Sequence, residues 1–529
     1  MSKLKDLELL LSKGRITRRE FVVRVSALGL MLGVSPTLLS SPAYAATPQR
    51  GGRLRIGIDG GSTTDTLDPA PSASTMSSVI CQGQLYNSLV EIDAKGNAIP
   101  ELAESWEASH NAAIWTFKLR KGVEFHNGKS MDAEDVIFSL NYHRGEESKS
   151  GAKGIVKPIK EIVADGKYTV KFILNEGNAD FPFLMSDYHL CIVPVGTTDF
   201  SKGIGIGGYV LSTFEPGVRA LTKRNPNYWK KGRAHFDEVE TLNIDDINAR
   251  VTALKTNQID YMARVDTKIA HLLKKTPNIQ LINVTGTYHN SIPMLTDVSP
   301  YDNNDVRLAL KYAIDREALV KTVLRGFGTI GNDHPIGPNQ KYFASDLPQR
   351  KYDPDKARYH MKKAGLMEHT FNLHAADGVF VGAMDTAVLY QEHAAKAGIK
   401  INVVREPNDG YWKSVWRKKP WCMCYWGGRP TADWMFSSVY AEGVAWNDTH
   451  WKHDRFNKIL KEARSELNES KRREMYAEMQ RLVKDEGGVV IPMLPNILEA
   501  ATTKLKHGDI ATNWTLDGFR VAERWWFNS

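Results

Sequence analysis

From Gly51 to the C-terminus, strand-like and helix-like patterns alternate without a repeat, a low-complexity tract or an apolar run of eighteen residues. This interleaving limits the possible folds more than any other feature of the chain. Gly51-Gly52-Arg53-Leu54-Arg55-Ile56-Gly57-Ile58 alternates as a strand does. A Ser/Thr/Pro-rich loop is expected over 60–78. Segments 115–119 and 169–174 carry the two-residue period of strands. Segment 132–140 reads as a helix, with Asp132 at its N-cap and Asp135 at the capping-box position. One helix is expected over 304–324, with Val306, Leu308, Leu310, Ala313 and Ile314 as its apolar residues. Segments 455–467 and 470–484 are amphipathic and highly charged, which suits solvated outer faces. Mixed elements over this length imply α/β lobes and not one core.

The N-terminus belongs to a different class. Lys3, Lys5, Lys13, Arg15, Arg18, Arg19 and Arg24 precede an apolar run over 25–39 that Gly and Ser dilute, and Ala43-Tyr44-Ala45 follows. A basic region, a short apolar region and an A-x-A site make a secretory signal peptide. The run is too short to be a membrane span. Thr17-Arg18-Arg19-Glu20-Phe21 adds a twin-arginine element, although Val22 and Val23 replace the usual Leu and Lys. Cleavage after Ala45 leaves 484 residues, with 62 basic and 58 acidic side chains, and the net charge falls from +8 to +4. So small an excess, with no Lys/Arg stripe, is no nucleic-acid footprint. The first Cys is Cys81, which argues against an anchor on a lipidated N-terminal Cys. A soluble, monomeric periplasmic protein is expected. Cys422 and Cys424 share one strand face with Cα atoms near the limit for bridging, so core thiols are expected.

Catalytic motifs are absent. Gly203-Ile204-Gly205-Ile206-Gly207-Gly208 matches G-x-G-x-x-G, but the strand-like Tyr209-Val210-Leu211-Ser212-Thr213-Phe214 follows where a dinucleotide site needs a helix. No G-x-S-x-G, H-E-x-x-H or P-loop lysine motif is present. The 15 His are scattered, and pairs such as His369/His374 and His450/His453 sit in segments without a Cys or carboxylate cluster of metal spacing. No catalytic residue, metal or cofactor is therefore assigned. One local feature stands out: Trp412, Trp416, Trp421, Trp426, Trp434, Trp446 and Trp451 place seven of thirteen Trp within forty residues. Tyr411, Tyr425, Tyr440 and the turn Gly427-Gly428-Arg429-Pro430-Thr431 lie among them. Flat, weakly polar rings beside a polar turn suit a ligand pocket, and core packing accounts for the rest.

Several segments resemble the family 5 extracellular solute-binding proteins, the peptide- and nickel-binding receptors of ABC importers. They include Leu85-Tyr86-Asn87-Ser88-Leu89-Val90, Ile99-Pro100-Glu101-Leu102-Ala103-Glu104-Ser105-Trp106 and Phe117-Lys118-Leu119-Arg120-Lys121-Gly122-Val123. Arg224-Asn225-Pro226-Asn227-Tyr228-Trp229, Ala313-Ile314-Asp315-Arg316 and Tyr352-Asp353-Pro354-Asp355-Lys356-Ala357 follow in family order. The resemblance implies a two-lobed α/β periplasmic binding protein (type II, cluster C-like) with an extra subdomain, about 84–200, in the first lobe. The first lobe would hold 46–288 and 493–529, and the second 289–492. Tyr288, His289 and Asn290 would lie at one crossing and 491–495 at the return. Ligand would be buried as the lobes close, and the closed form would engage the inner-membrane permease.

The resemblance also implies pocket residues. They are Ser74, Thr75 and Met76 in the first lobe, Tyr288, His289 and Asn290 at the hinge, and Trp412, Trp416, Tyr425, Trp426, Gly427, Gly428, Arg429, Asp433 and Trp446 in the second. In peptide-binding relatives an Asp three residues after the second-lobe Trp neutralises the peptide ammonium. Here that position, counted from Trp426, is Arg429, which would repel an ammonium and match a carboxylate or phosphate. Asp433 is the acid available to substitute. An anionic or polyhydroxy ligand is expected, such as an opine, a sugar-phosphate conjugate, or a modified amino acid or peptide. The alternatives are a general di/oligopeptide receptor, a nickel-complex receptor and, more remotely, a periplasmic hydrolase.

Overall fold

The computed structural model describes residues 48–71, 74–408, 410–444 and 446–528. The expected signal peptide, twin-arginine element and cleavage site fall outside the described residues. Twelve strands precede the first crossing between the lobes: β1 (Arg53–Ile58), β2 (Val90–Ile92), β3 (Ala98–Pro100), β4 (Ala103–Ser109), β5 (Ile114–Leu119), β6 (Ile159–Ala164), β7 (Thr169–Leu174), β8 (Tyr209–Glu215), β9 (Arg219–Arg224), β10 (Glu238–Asn243), β11 (Tyr261–Met262) and β12 (Ile279–Thr285). Beyond it come β13 (His289–Pro293), β14 (Gly328–Ile330), β15 (Thr370–Ala375), β16 (Lys400–Arg405), β17 (Cys424–Trp426) and the long β18 (Val489–Thr502).

The main sheet runs β17-β13-β18-β11-β1-β10-β9-β8, with β12 and β14 also paired to β18. β18 joins the two lobes. Its first half pairs with β13 and β14, up to Pro495 opposite Gly328. Its second half pairs with β12 from Asn496 onward, and with β11 at Ala500 and Ala501. The chain between β12 and β13 makes the other crossing. A two-lobed α/β protein results. The first lobe packs Leu54, Ile56, Tyr209, Tyr261 and Trp525 into one core, and the second packs Ile292, Leu310, Phe371, Tyr390 and Trp421 into another.

Local chemistry explains the elements that frame the cleft. β4, β5, β7 and β6 form a separate antiparallel sheet, whose inward Trp115, Phe117 and Phe172 meet Phe181. The helix Ala133–Asn141 above it starts on a full capping box made by Asp132 and Asp135. A Cβ on Gly205 or Gly207 would fall 2.1 Å from a backbone oxygen of Leu85 or Gln84. The glycine run is thus a close-packed turn leading into β8, as its strand-like sequel implied. The four cysteines are buried and unbridged.

Two expectations differ from the structure. The loop over 60–78 ends early, because Ser74 caps the helix Thr75–Ile80 by accepting from Ser77 N at 2.9 Å. The single helix over 304–324 is two helices, Asn304–Tyr312 and Arg316–Thr322. Asp315 accepts from Ala318 N at 2.9 Å and so caps the second. Arg316 then points inward to pair with Asp333 at 2.6 Å. The apolar period continues through the break because both helices bury their apolar faces in the same core.

Candidate functional site

The turn after β17 lies where the lobes meet. β17 is the last strand of the sheet, and its residues Trp426 and Tyr425 pair with His289 and Asn290 of β13. Strand pairing therefore joins the two hinge residues to the second-lobe aromatics. Gly428 follows because the turn presses on the first crossing: a Cβ there would fall 1.5 Å from Thr287 Oγ1.

The aromatic candidates form one connected series. Tyr288 stacks on Tyr425 with ring centres 5.2 Å apart, and Trp412 meets Tyr425 edge-on at 5.5 Å. Trp412 then meets Trp416, Trp416 meets Trp426, and Trp426 meets Trp446 at 6.0 Å. Trp412, Tyr425 and Trp446 keep 43%, 38% and 48% of their surface exposed, whereas Trp426 is packed into a core cluster and Trp416 lies against it. Trp421 and Trp451 are core residues.

Arg429 stands at the end of the wall, its guanidinium 5.9 Å from the ring centre of Trp446 and 6.0 Å from that of Trp434. Nη1 donates to the carbonyls of Gly427 and Gly428, both at 3.1 Å. Among the described residues no carboxylate pairs with it. Partial burial pulls its pKa below the ordinary guanidinium value, and Asp187 and Tyr188 of the first lobe oppose that shift. Asp187 is itself bonded to His189 Nδ1 at 2.6 Å. A guanidinium can bind a carboxylate or phosphate bidentately, although Asp187 lies near this one.

The other candidates separate clearly. Asp433 is buried against Arg464 Nε at 3.2 Å, and burial still raises its pKa to about 6. It is committed to that arginine, so it does not stand in for the missing ammonium acceptor. His289 is fully buried, and among the described residues neither ring nitrogen makes a well-formed hydrogen bond, although the Thr287 backbone lies close to it. Burial, with His334 and Arg429 close by, lowers its pKa to about 3, so the ring is neutral. Asn290 is buried in β13. Ser74 is occupied as a helix cap, Thr75 is half-buried, and Met76 is wholly enclosed in the first-lobe core. These three residues do not join the aromatic wall.

The structure adds groups that local sequence did not indicate. Asp187 and Tyr188 come from the first lobe. Gln340 donates to the Arg429 carbonyl at 3.2 Å, and Asn339 reaches the carbonyl of Thr285 at 2.9 Å. Asp448 accepts from both Trp416 Nε1 and Trp426 Nε1. Beside the cleft the lobes are latched: Ala179 N donates to Arg464 O at 2.7 Å, and Arg472 pairs with Asp180 at 2.9 Å, both ends buried.

Two lobes joined through a shared strand, with an aromatic series beside the crossing, have the architecture of a binding protein. The sequence profile of the bacterial extracellular solute-binding proteins, family 5, matches residues 97–448, and the chain belongs to that family. It is a solute-binding protein of an ABC importer. It is 26% identical over 515 residues to di/tripeptide-binding protein 1 of Pseudomonas aeruginosa, covering 90% of this chain and 94% of that protein. Over 378 residues it is 28% identical to the glutathione-binding protein GsiB of Escherichia coli, covering 70% and 72% of the two chains. The fold matches that of the DppA periplasmic binding protein of Helicobacter pylori, solved with the peptide STSA. The TM-score is 0.74, at 22% identity, over 91% of this chain and 99% of that one. No helix of the described residues is long and apolar enough to cross a membrane.

Proposed function

We propose that this protein captures a small anionic or polyhydroxy solute between its lobes and presents it to the importer's permease. The observation that carries this reading is Arg429, held in the cleft by its own turn with no carboxylate partner among the described residues. A ligand carboxylate or phosphate would complete it bidentately while the ligand's apolar or sugar faces lie on Trp412, Tyr425 and Trp446. Export as a monomer through the twin-arginine signal, with cleavage after Ala45, belongs to the same reading. So do lobe limits of 46–288 with 493–529, and 289–492, supported by the change of partners along β18. The wall from Tyr288 to Trp446 with Arg429 is the proposed contact surface.

A second reading, a di- or tripeptide receptor, is favoured by the similarity to the Pseudomonas protein of that name. The two meet in an anionic peptide such as glutathione, which the other relative's name specifies. Calorimetric titration with glutathione, opines, sugar phosphates and neutral dipeptides separates them. The proposal expects binding of an anionic compound, with the solute recovered unchanged. Tight binding of dipeptides alone, independent of their charge, would replace it with the second reading.

A further inference from the structure

Two indole N–H groups from different segments converge on one buried oxygen. Trp426 Nε1 donates to Asp448 Oδ2 at 3.1 Å and Trp416 Nε1 donates to the same atom at 3.3 Å. Asp448 is 3% exposed. A buried carboxylate is costly unless its hydrogen bonds are made, and such bonds fix the donors' ring planes. Trp416 and Trp426 stand between exposed Trp412 and Trp446 in the aromatic series, so their orientation sets where those two rings stand. We propose that Asp448 is the positioning residue of the ligand wall: it touches no solute but fixes the two indoles that place the contact rings and, through Trp446, the Arg429 guanidinium. This rests on the aromatic wall being the ligand surface.

The surroundings of the carboxylate are low in charge. Cys422 and Cys424 of the adjoining strand segment and Tyr440 of the following helical turn face it, and all three are buried and neutral. Arg417 lies over the Trp416 ring, 5.6 Å from its centre. Burial raises the Asp448 pKa to about 6, with the two indole bonds opposing that rise. The acceptor therefore loses its charge within an accessible pH range.

The test compares the full mature chain with Asp448→Asn, which keeps an acceptor oxygen, and Asp448→Leu, which removes it. Near-UV circular dichroism, tryptophan emission from pH 4.5 to 7.5 and calorimetry with glutathione are read on each. The inference expects parent emission to titrate with a midpoint near 6 and both variants to lose that transition. Asp448→Leu should change the near-UV signal and weaken glutathione about tenfold, whereas Asp448→Asn restores most of both. Unchanged near-UV spectra in both variants, or parent emission flat across this range, would overturn it. If Asp448→Leu does not fold, the Asn variant and the parent titration decide. If the parent binds no glutathione, the proposed ligand class loses support, while the two spectroscopic arms still decide this inference.

Discussion

Two groups of charges in this molecule meet opposite fates. In the first lobe, Lys230 pairs with Glu91 at 2.6 Å and with Glu101 and Glu523 at 2.8 Å each. Arg520 joins Glu101 at 2.8 Å and Glu523 at 2.7 Å, and Arg524 joins Glu91 and Asp517. Every ion is buried and every one has a partner inside the chain. In the cleft, Arg429 has backbone carbonyls, aromatic faces and Asp187 nearby, but among the described residues no carboxylate within ion-pair distance. Desolvation is offset by ion pairs in the first case and only by carbonyls and the more distant Asp187 in the second. The first cluster ties the C-terminal segment to 91–101 across more than four hundred residues of sequence. The cluster serves architecture, and the proposed ligand contact at Arg429 differs from it in having no ion-pair partner among the described residues.

The comparison predicts opposite responses to charge removal. Glu101→Gln or Arg520→Met should destabilise the protein by about 3–5 kcal/mol in denaturant unfolding, because each strands a buried charge. The affinity of the folded fraction should change little. Equal loss of affinity and stability would remove the distinction between the two regions. A middle case is the latch between the lobes. Arg472→Met leaves Asp180 unpaired only in the closed form, so it should weaken ligand binding by about 1–3 kcal/mol, mainly through faster dissociation in stopped-flow records. Unchanged dissociation would mean that the latch contributes nothing to closure.

A pH-dependent effect is predicted for Asp433. Its pKa rises from 3.8 to about 6 in the fold, so the folded state holds the proton more tightly than the unfolded state. That contribution is complete below about pH 4 and is lost as pH rises to about 6. The melting temperature of Asp433→Asn, relative to the parent, should therefore move in the variant's favour across this interval. A constant difference would show that Arg464 fully offsets the burial of the carboxylate.

Parts of this arrangement were legible in the sequence because their causes are local. The capping box of Asp132 and Asp135, the alternation of β5 and β7 and the glycine turn before β8 each lie within a few residues. The tryptophan cluster is similarly local, and the departure at Arg429 was visible by counting from Trp426. Hidden features depend on long-range closure. Asp187 and Arg429 are brought near one another only when the lobes meet, and nothing around Asp448 in sequence marks it as the shared acceptor of two indoles. The helix break at 313–315 is not legible from the apolar period, which does not record a change of axis; in the structure Asp315 caps the second helix.

The central claim is that Arg429 awaits a ligand anion. Calorimetry with glutathione and alanyl-alanine on the parent, Arg429→Ala and Arg429→Lys, run beside thermal unfolding of each unliganded protein, tests it most directly. The account predicts that Arg429→Ala loses about 2–5 kcal/mol of glutathione affinity. Arg429→Lys should recover part of it, and neither unliganded variant should be less stable than the parent. Micromolar binding of either peptide that is unaffected by Arg429→Ala, or a large loss of stability without ligand, would contradict it.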